Sequence, residues 1–128
     1  MQDLRVCAFK QDNTKSKPND DDFSWWEYGQ SFAVADGVSR TSKNGESSPC
    51  YGVATVFCEE VVSRLVTSTP MHAFAHANGC IERLNRELHG ITPETVNYLD
   101  RDYLCCVGVA GVLSKESPFR FSYGYIGD

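Results

Sequence analysis

No apolar run in this chain approaches the roughly 20 residues needed to cross a bilayer, so no membrane partner is expected. Basic residues are also few. Twelve Lys and Arg against 17 Asp and Glu leave a formal net charge of −5. That balance argues against a nucleic-acid partner, because phosphate backbones are met by clustered Lys and Arg. The opening Met1-Gln2-Asp3-Leu4-Arg5 lacks the basic-then-apolar shape of a secretory signal, and a cytoplasmic location is expected. None of the six cysteines (Cys7, Cys50, Cys58, Cys80, Cys105, Cys106) forms a Cys-x-x-Cys pair. Cys105 and Cys106 are adjacent, which disfavours a bridge between them, so a disulfide framework is not expected. Most of the thiols lie in apolar runs and read as small hydrophobes. No phosphate-cradling loop follows any of them, which speaks against a cysteine-based phosphatase. Internal repeats and low-complexity segments are lacking as well.

What is present is enough for a packed core. The chain has 128 residues with 41% hydrophobic and 12% aromatic content, one domain at most or part of a larger one. Its most informative stretch is Ser31-Phe32-Ala33-Val34-Ala35-Asp36-Gly37-Val38, a short apolar strand that stops at a carboxylate followed by glycine. A strand fixes its last side chain better than a loop does, and the glycine lets the main chain turn close to whatever the carboxylate holds. A second acidic group, Asp20-Asp21-Asp22, lies about one strand length upstream. Two acidic points on neighbouring strand ends suit a hard cation such as magnesium or manganese, which prefers oxygen ligands. Taken alone, Asp-Gly after a strand is more often just a turn, and Asp20 to Asp22 a solvated acidic loop.

Periodicity supplies the rest of the outline. Asp3 to Lys10 alternates like a strand, Gln11 to Pro18 is a polar connection, and Phe23 to Tyr28 and Ser31 to Asp36 read as strands. Ser48 offers a helix N-cap with Pro49 after it, and Ala54, Phe57, Val61 and Leu65 recur at helical spacing. Thr69 and Pro70 repeat the cap-then-proline arrangement, Gly90 marks the helix end, and Phe74, Ala77, Ile81, Leu84 and Leu88 form a stripe. The state of Thr92 to Arg101 is left open. Leu104 to Leu113 is apolar almost throughout, which predicts a strand buried on both faces. After the turn at Ser114 to Pro118, Phe119 to Tyr125 is expected to return as the second strand of an antiparallel hairpin.

In their order, these features resemble the N-terminal half of the metal-dependent, PPM-type serine/threonine protein phosphatases. The likeness rests on Asn19-Asp20-Asp21-Asp22-Phe23, Phe32 to Ser39, Gly45-Glu46-Ser47-Ser48, the two helices with Ile81-Glu82-Arg83-Leu84-Asn85, and the closing Tyr125-Ile126-Gly127-Asp128. It runs from about Arg5 to Asp128. The resemblance implies an α+β fold: an α-β-β-α sandwich of two antiparallel sheets flanked by helices, represented in part by this chain. It implies that Asp36 bridges two Mg²⁺ or Mn²⁺ ions, that the Gly37 carbonyl ligates one, and that Asp20 and Asp21 contact the site. Asp128 matches the aspartate associated in some members with a third metal. Where the family often carries a phosphate-clamping arginine, this chain has Lys15-Ser16-Lys17-Pro18, which leaves Lys17 as the candidate phosphate-binding residue. Where it often has Gly-Thr-Thr, this chain has Leu104-Cys105-Cys106.

Members of the family are longer, with further metal-binding aspartates in a second half, so the expectation is a piece of a phosphatase that is inactive alone. The intact enzyme would hydrolyse phosphoserine or phosphothreonine esters of a phosphoprotein with a metal-activated water and no nucleophilic side chain. A catalytically silent binding module of the same fold is the alternative. A zinc site on His72 and His76, four apart on one helix, is weaker, since no matching Cys or His pair lies nearby and exposed helix residues are the expected reading. Oligomeric state is left open.

Overall fold

Alternation along Ser31–Gly37 divides the strand between small residues on one side and large or charged ones on the other. In the computed structural model, which describes residues 7–9, 20–26, 28, 30–38, 52–114, 116 and 120–127, that division sets the whole layout. Strand β2 (Ser31–Gly37) pairs antiparallel with β1 (Asp21–Trp26) on one edge and with β3 (Cys106–Leu113) on the other. Strand β4 (Phe121–Ile126) completes a sheet of order β1-β2-β3-β4 by pairing with β3. Helices α1 (Val53–Leu65) and α2 (Pro70–His89) fall between β2 and β3 in the chain. Helix α1 lies over β1, β2 and β3, and α2 packs beside it and reaches β4.

The small residues of β2 are what let the helix approach. Ser31, Ala33 and Ala35 are fully or almost fully buried beneath α1, together with Ala110 of β3. The Ser31 hydroxyl donates to the Val62 carbonyl of α1 at 3.4 Å. Val53, Ala54, Phe57, Cys58, Val61, Val62 and Leu65 supply the helical side of this core, and Ala73, Ala77 and Ile81 extend it onto α2. Two glycines make room for rings that bridge the layers. A methyl group at Gly108 would sit 2.5 Å from the Phe57 ring, and one at Gly124 would sit 2.8 Å from that of Phe74. The two rings stack on each other at 5.6 Å.

Helix α2 is bounded as its sequence suggests. Thr69 caps it by accepting from the His72 N–H, Pro70 opens it, and Gly90 ends it in the left-handed region at φ 65°. Helix α1 starts later than expected, at Val53 after a left-handed Gly52, while Ser48 and Pro49 lie outside the described residues. On α2 the predicted stripe is displaced at its end. Leu88 is half exposed, and the last buried residue of the helix is Asn85, one turn earlier. Cys7, Ala8 and Phe9, from the expected first strand, are exposed and belong to no strand; the rest of that segment lies outside the described residues. Thr92 to Arg101 runs through turns.

The α+β class holds: an antiparallel sheet carries two helices on one face. A second sheet is not seen among the described residues. Burial of β3 on both faces is corrected accordingly. Its helix-facing residues are covered, whereas Val107 and Val109 are 36% and 38% exposed, because nothing described packs on the other side. The hairpin of β3 and β4 forms as the sequence suggests, over Phe121–Ile126 for its second strand.

Candidate metal centre

The β1–β2 register sets Asp21 directly opposite Asp36, and Asp22 opposite Ala35. One residue further out, the Gly37 N–H donates to the Asp20 carbonyl at 3.1 Å. Hydrogen-bonded and non-hydrogen-bonded pairs alternate along an antiparallel ladder. Asp21 and Asp36 therefore form a non-hydrogen-bonded pair, the kind whose side chains approach most closely, with Cα atoms about 4.5 Å apart. Both carboxylates are exposed and share the sheet face that the helices leave open. Gly37 turns its main-chain edge toward the Asp20–Asp21 end of β1. Asp20 falls in the row of Asp22 by alternation, not in that of Asp21.

Asp22 has a different task. One oxygen accepts from the Thr55 hydroxyl of α1 and the other from the Phe23 N–H at 2.9 Å. The Cys58 thiol donates to the Asp22 carbonyl at 3.4 Å. Burial, reinforced by the Asp22 charge, pushes this thiol from 9.0 up to about 12, so it stays protonated and inert. These contacts pin the start of β1 to α1 and hold Asp21 on the opposite face.

The other strands converge on the same sheet end. Asp36 is opposite Val107 of β3, and Gly127 follows β4 with φ 124°. A methyl group on Gly127 would come within 2.5 Å of Val107 Cγ1, so only glycine fits there. Asp21 and Asp36 line a shallow, open groove of about 410 Å³ whose other side is formed by Val107, Val109 and Tyr125. Asp128 and Lys17 lie outside the described residues. Paired carboxylates are acceptor-only oxygen donors, the chemistry that Mg²⁺ and Mn²⁺ take.

A second group of ligand atoms lies between the helices. Glu60 of α1 meets His76 and Cys80 of α2, with the three ligand atoms all within 4.8 Å of one another. The expected pairing of His76 with His72 is corrected: the neighbours of His76 are Glu60 and Cys80. The available signal was a histidine and a cysteine four apart on one helix; the contribution of Glu60 needed the packing of α1 on α2. Among the described residues, no helix is long and apolar enough to cross a membrane. Comparison of the chain with protein-family models, curated proteins and solved structures finds no match.

Proposed function

We propose that this chain carries the metal-binding sheet end of a PPM-type, metal-dependent serine/threonine protein phosphatase. The opposition of Asp21 and Asp36 across β1 and β2 is the observation that carries this reading. Two carboxylates held face to face repel each other, and a shared divalent cation turns that repulsion into ligation. Asp21 and Asp36 would hold Mg²⁺ or Mn²⁺, with the Gly37 carbonyl and Asp128 as the further donors that the resemblance implies, whereas Asp20, in the row of Asp22, would not share their face. Such ions supply, when bound, an acidified water and positive charge for phosphoester hydrolysis. Asp36, at the end of β2, lines the open groove together with Asp21, beside the apolar wall of Val107, Val109 and Tyr125. Lys17 is assigned to the substrate phosphate.

The open face beyond the carboxylates also supports this reading. It bears Val34, which is 48% exposed, and the stacked rings Phe23–Trp25, Phe32–Phe121 and Phe121–Tyr123. In a two-sheet sandwich of the resembled kind, a face of that composition packs against the second sheet.

Titration of the chain with Mn²⁺, followed by the resonance of the free ion, tests the site: binding is expected in the wild type and lost in Asp36→Asn. Equal binding by both would overturn it. Metal-dependent hydrolysis of p-nitrophenyl phosphate by the full-length protein, abolished by Asp36→Asn, tests the activity. Mn²⁺ bound at Asp36 without turnover of phosphoesters would favour the silent binding module instead.

A further inference from the structure

We propose that Glu60, His76 and Cys80 form a zinc-class metal site that clamps α1 to α2. The side chains come from two helices that pack on each other and share one core, in which Ala73 and Ala77 of α2 and Val61 of α1 are fully buried. His76 and Cys80 are four residues apart and so project from the same face of α2. The Glu60 Oε2 lies 2.6 Å from His76 Nε2, and the Cys80 Sγ lies 3.9 Å from the same nitrogen.

These separations suit one small ion. Zinc sits ~2.3 Å from sulfur and ~2.1 Å from nitrogen, so a tetrahedral site places those two ligands ~3.6 Å apart. The observed 3.9 Å needs only a slight closure. The carboxylate must withdraw to ~3.3 Å from the imidazole nitrogen, which rotation of a glutamate side chain provides. The Glu60 side chain is 39% exposed and that of His76 30%, so there is both room for the movement and a path for the ion. A Glu–His hydrogen bond accounts for two of the three groups. The thiol is the distinguishing one: its contact with the nitrogen, at 3.9 Å, is a long hydrogen bond from a weak donor and adds little by itself.

The donor set selects the metal. Thiolate, imidazole and carboxylate together favour Zn²⁺ over Mg²⁺, which takes oxygen ligands. Three protein ligands leave one coordination position for water or another donor. The site belongs to the helical layer, on the other side of the sheet from Asp21 and Asp36. It therefore does not depend on the phosphatase reading.

Co²⁺ is the direct probe, because a cobalt–thiolate bond gives a charge-transfer absorption in the near ultraviolet. The full chain is expected to develop this band with Co²⁺ and lose it when Zn²⁺ is added, while excess Mg²⁺ has no effect. Cys80→Ser should abolish the band. His76→Ala and Glu60→Gln should weaken Zn²⁺ binding by at least the ~10–100-fold that loss of a supporting group around a metal costs. Cys7→Ser and His72→Ala should bind as the wild type does. Zn²⁺ should also raise the melting temperature of the wild type and not that of Cys80→Ser, with circular dichroism confirming that each variant folds without metal. A band absent in the wild type, retained in Cys80→Ser or lost in Cys7→Ser would overturn the proposal.

Discussion

Asn85 of α2 and Leu104, two residues ahead of β3, are joined main chain to side chain by two hydrogen bonds. The Asn85 Nδ2 donates to the Leu104 carbonyl at 2.9 Å, and its Oδ1 accepts from the Leu104 N–H at 2.7 Å. Both residues are almost completely buried. The amide thus does for Leu104 what a neighbouring strand would do, and it fixes where the chain enters β3. Asn85→Leu would leave two buried main-chain groups without these partners, at about 1–3 kcal/mol each. A loss of about 2–5 kcal/mol in urea unfolding is expected, and a loss under 1 kcal/mol would show that water or a shift of Leu104 replaces the amide.

Asp36→Asn should have opposite effects with and without metal. In metal-free buffer it removes one of two directly opposed charges, and a gain of up to about 1 kcal/mol is expected. With excess Mn²⁺ the wild type should gain melting temperature by mass action and the variant should not. Thermal unfolding in chelator and in Mn²⁺ separates the two; an equal Mn²⁺ response would remove Asp36 from the site.

Two glycines should respond to alanine with opposite signs. At Gly108 the added methyl would meet Phe57 Cε1 at 2.5 Å and the Val34 carbonyl at 3.0 Å. Phe57 is buried and stacked on Phe74, so it has nowhere to go. Gly108→Ala should cost about 1–3 kcal/mol. Gly79, within α2, has nothing within 4 Å of the added methyl, and Gly79→Ala should stabilise by about 0.5–1 kcal/mol. Denaturant midpoints for the pair decide whether packing or helix propensity dominates at each.

Cys58 should give the fold an alkaline sensitivity. The native thiol holds its proton up to about 12, whereas the unfolded one releases it near 9.0. Between those values the unfolded state binds fewer protons, so stability falls as pH rises and is fully present below 9.0. Urea midpoints from pH 8 to 11 should decline more steeply in the wild type than in Cys58→Ala. At pH 8, Cys58 should also react with a thiol reagent far more slowly than exposed Cys7. Equal slopes and equal labelling would contradict this.

Local chemistry was sufficient for much of the outline. The short apolar run from Ser31 to Asp36, Thr69 with Pro70, Gly90 and the segments before and after the Ser114 turn identify β2, both ends of α2, and the β3–β4 hairpin. These signals act within a few residues, through steric preference, caps and turn geometry, so they can be read without knowing the neighbours. The sequence also marked Asp36 and the group Asp20 to Asp22 as acidic points on neighbouring strand ends, but not which of the three faces Asp36.

Tertiary structure decided the remainder. An apolar run such as Cys106–Leu113 says that either face can be buried, and the position of α1 chose one. The stripe of α2 pointed to Leu88, yet Asn85 took the buried place because only its amide could satisfy the Leu104 main chain. The facing of Asp21 and Asp36 is a matter of register, and the meeting of Glu60 with His76 and Cys80 is a matter of helix packing. Both depend on groups distant in the chain whose encounter is fixed by the burial of other residues, Ala33 and Ala35 in one case and Ala73 and Ala77 in the other. No local propensity encodes such an encounter, because its energy arises from surfaces that exist only once the layers have packed.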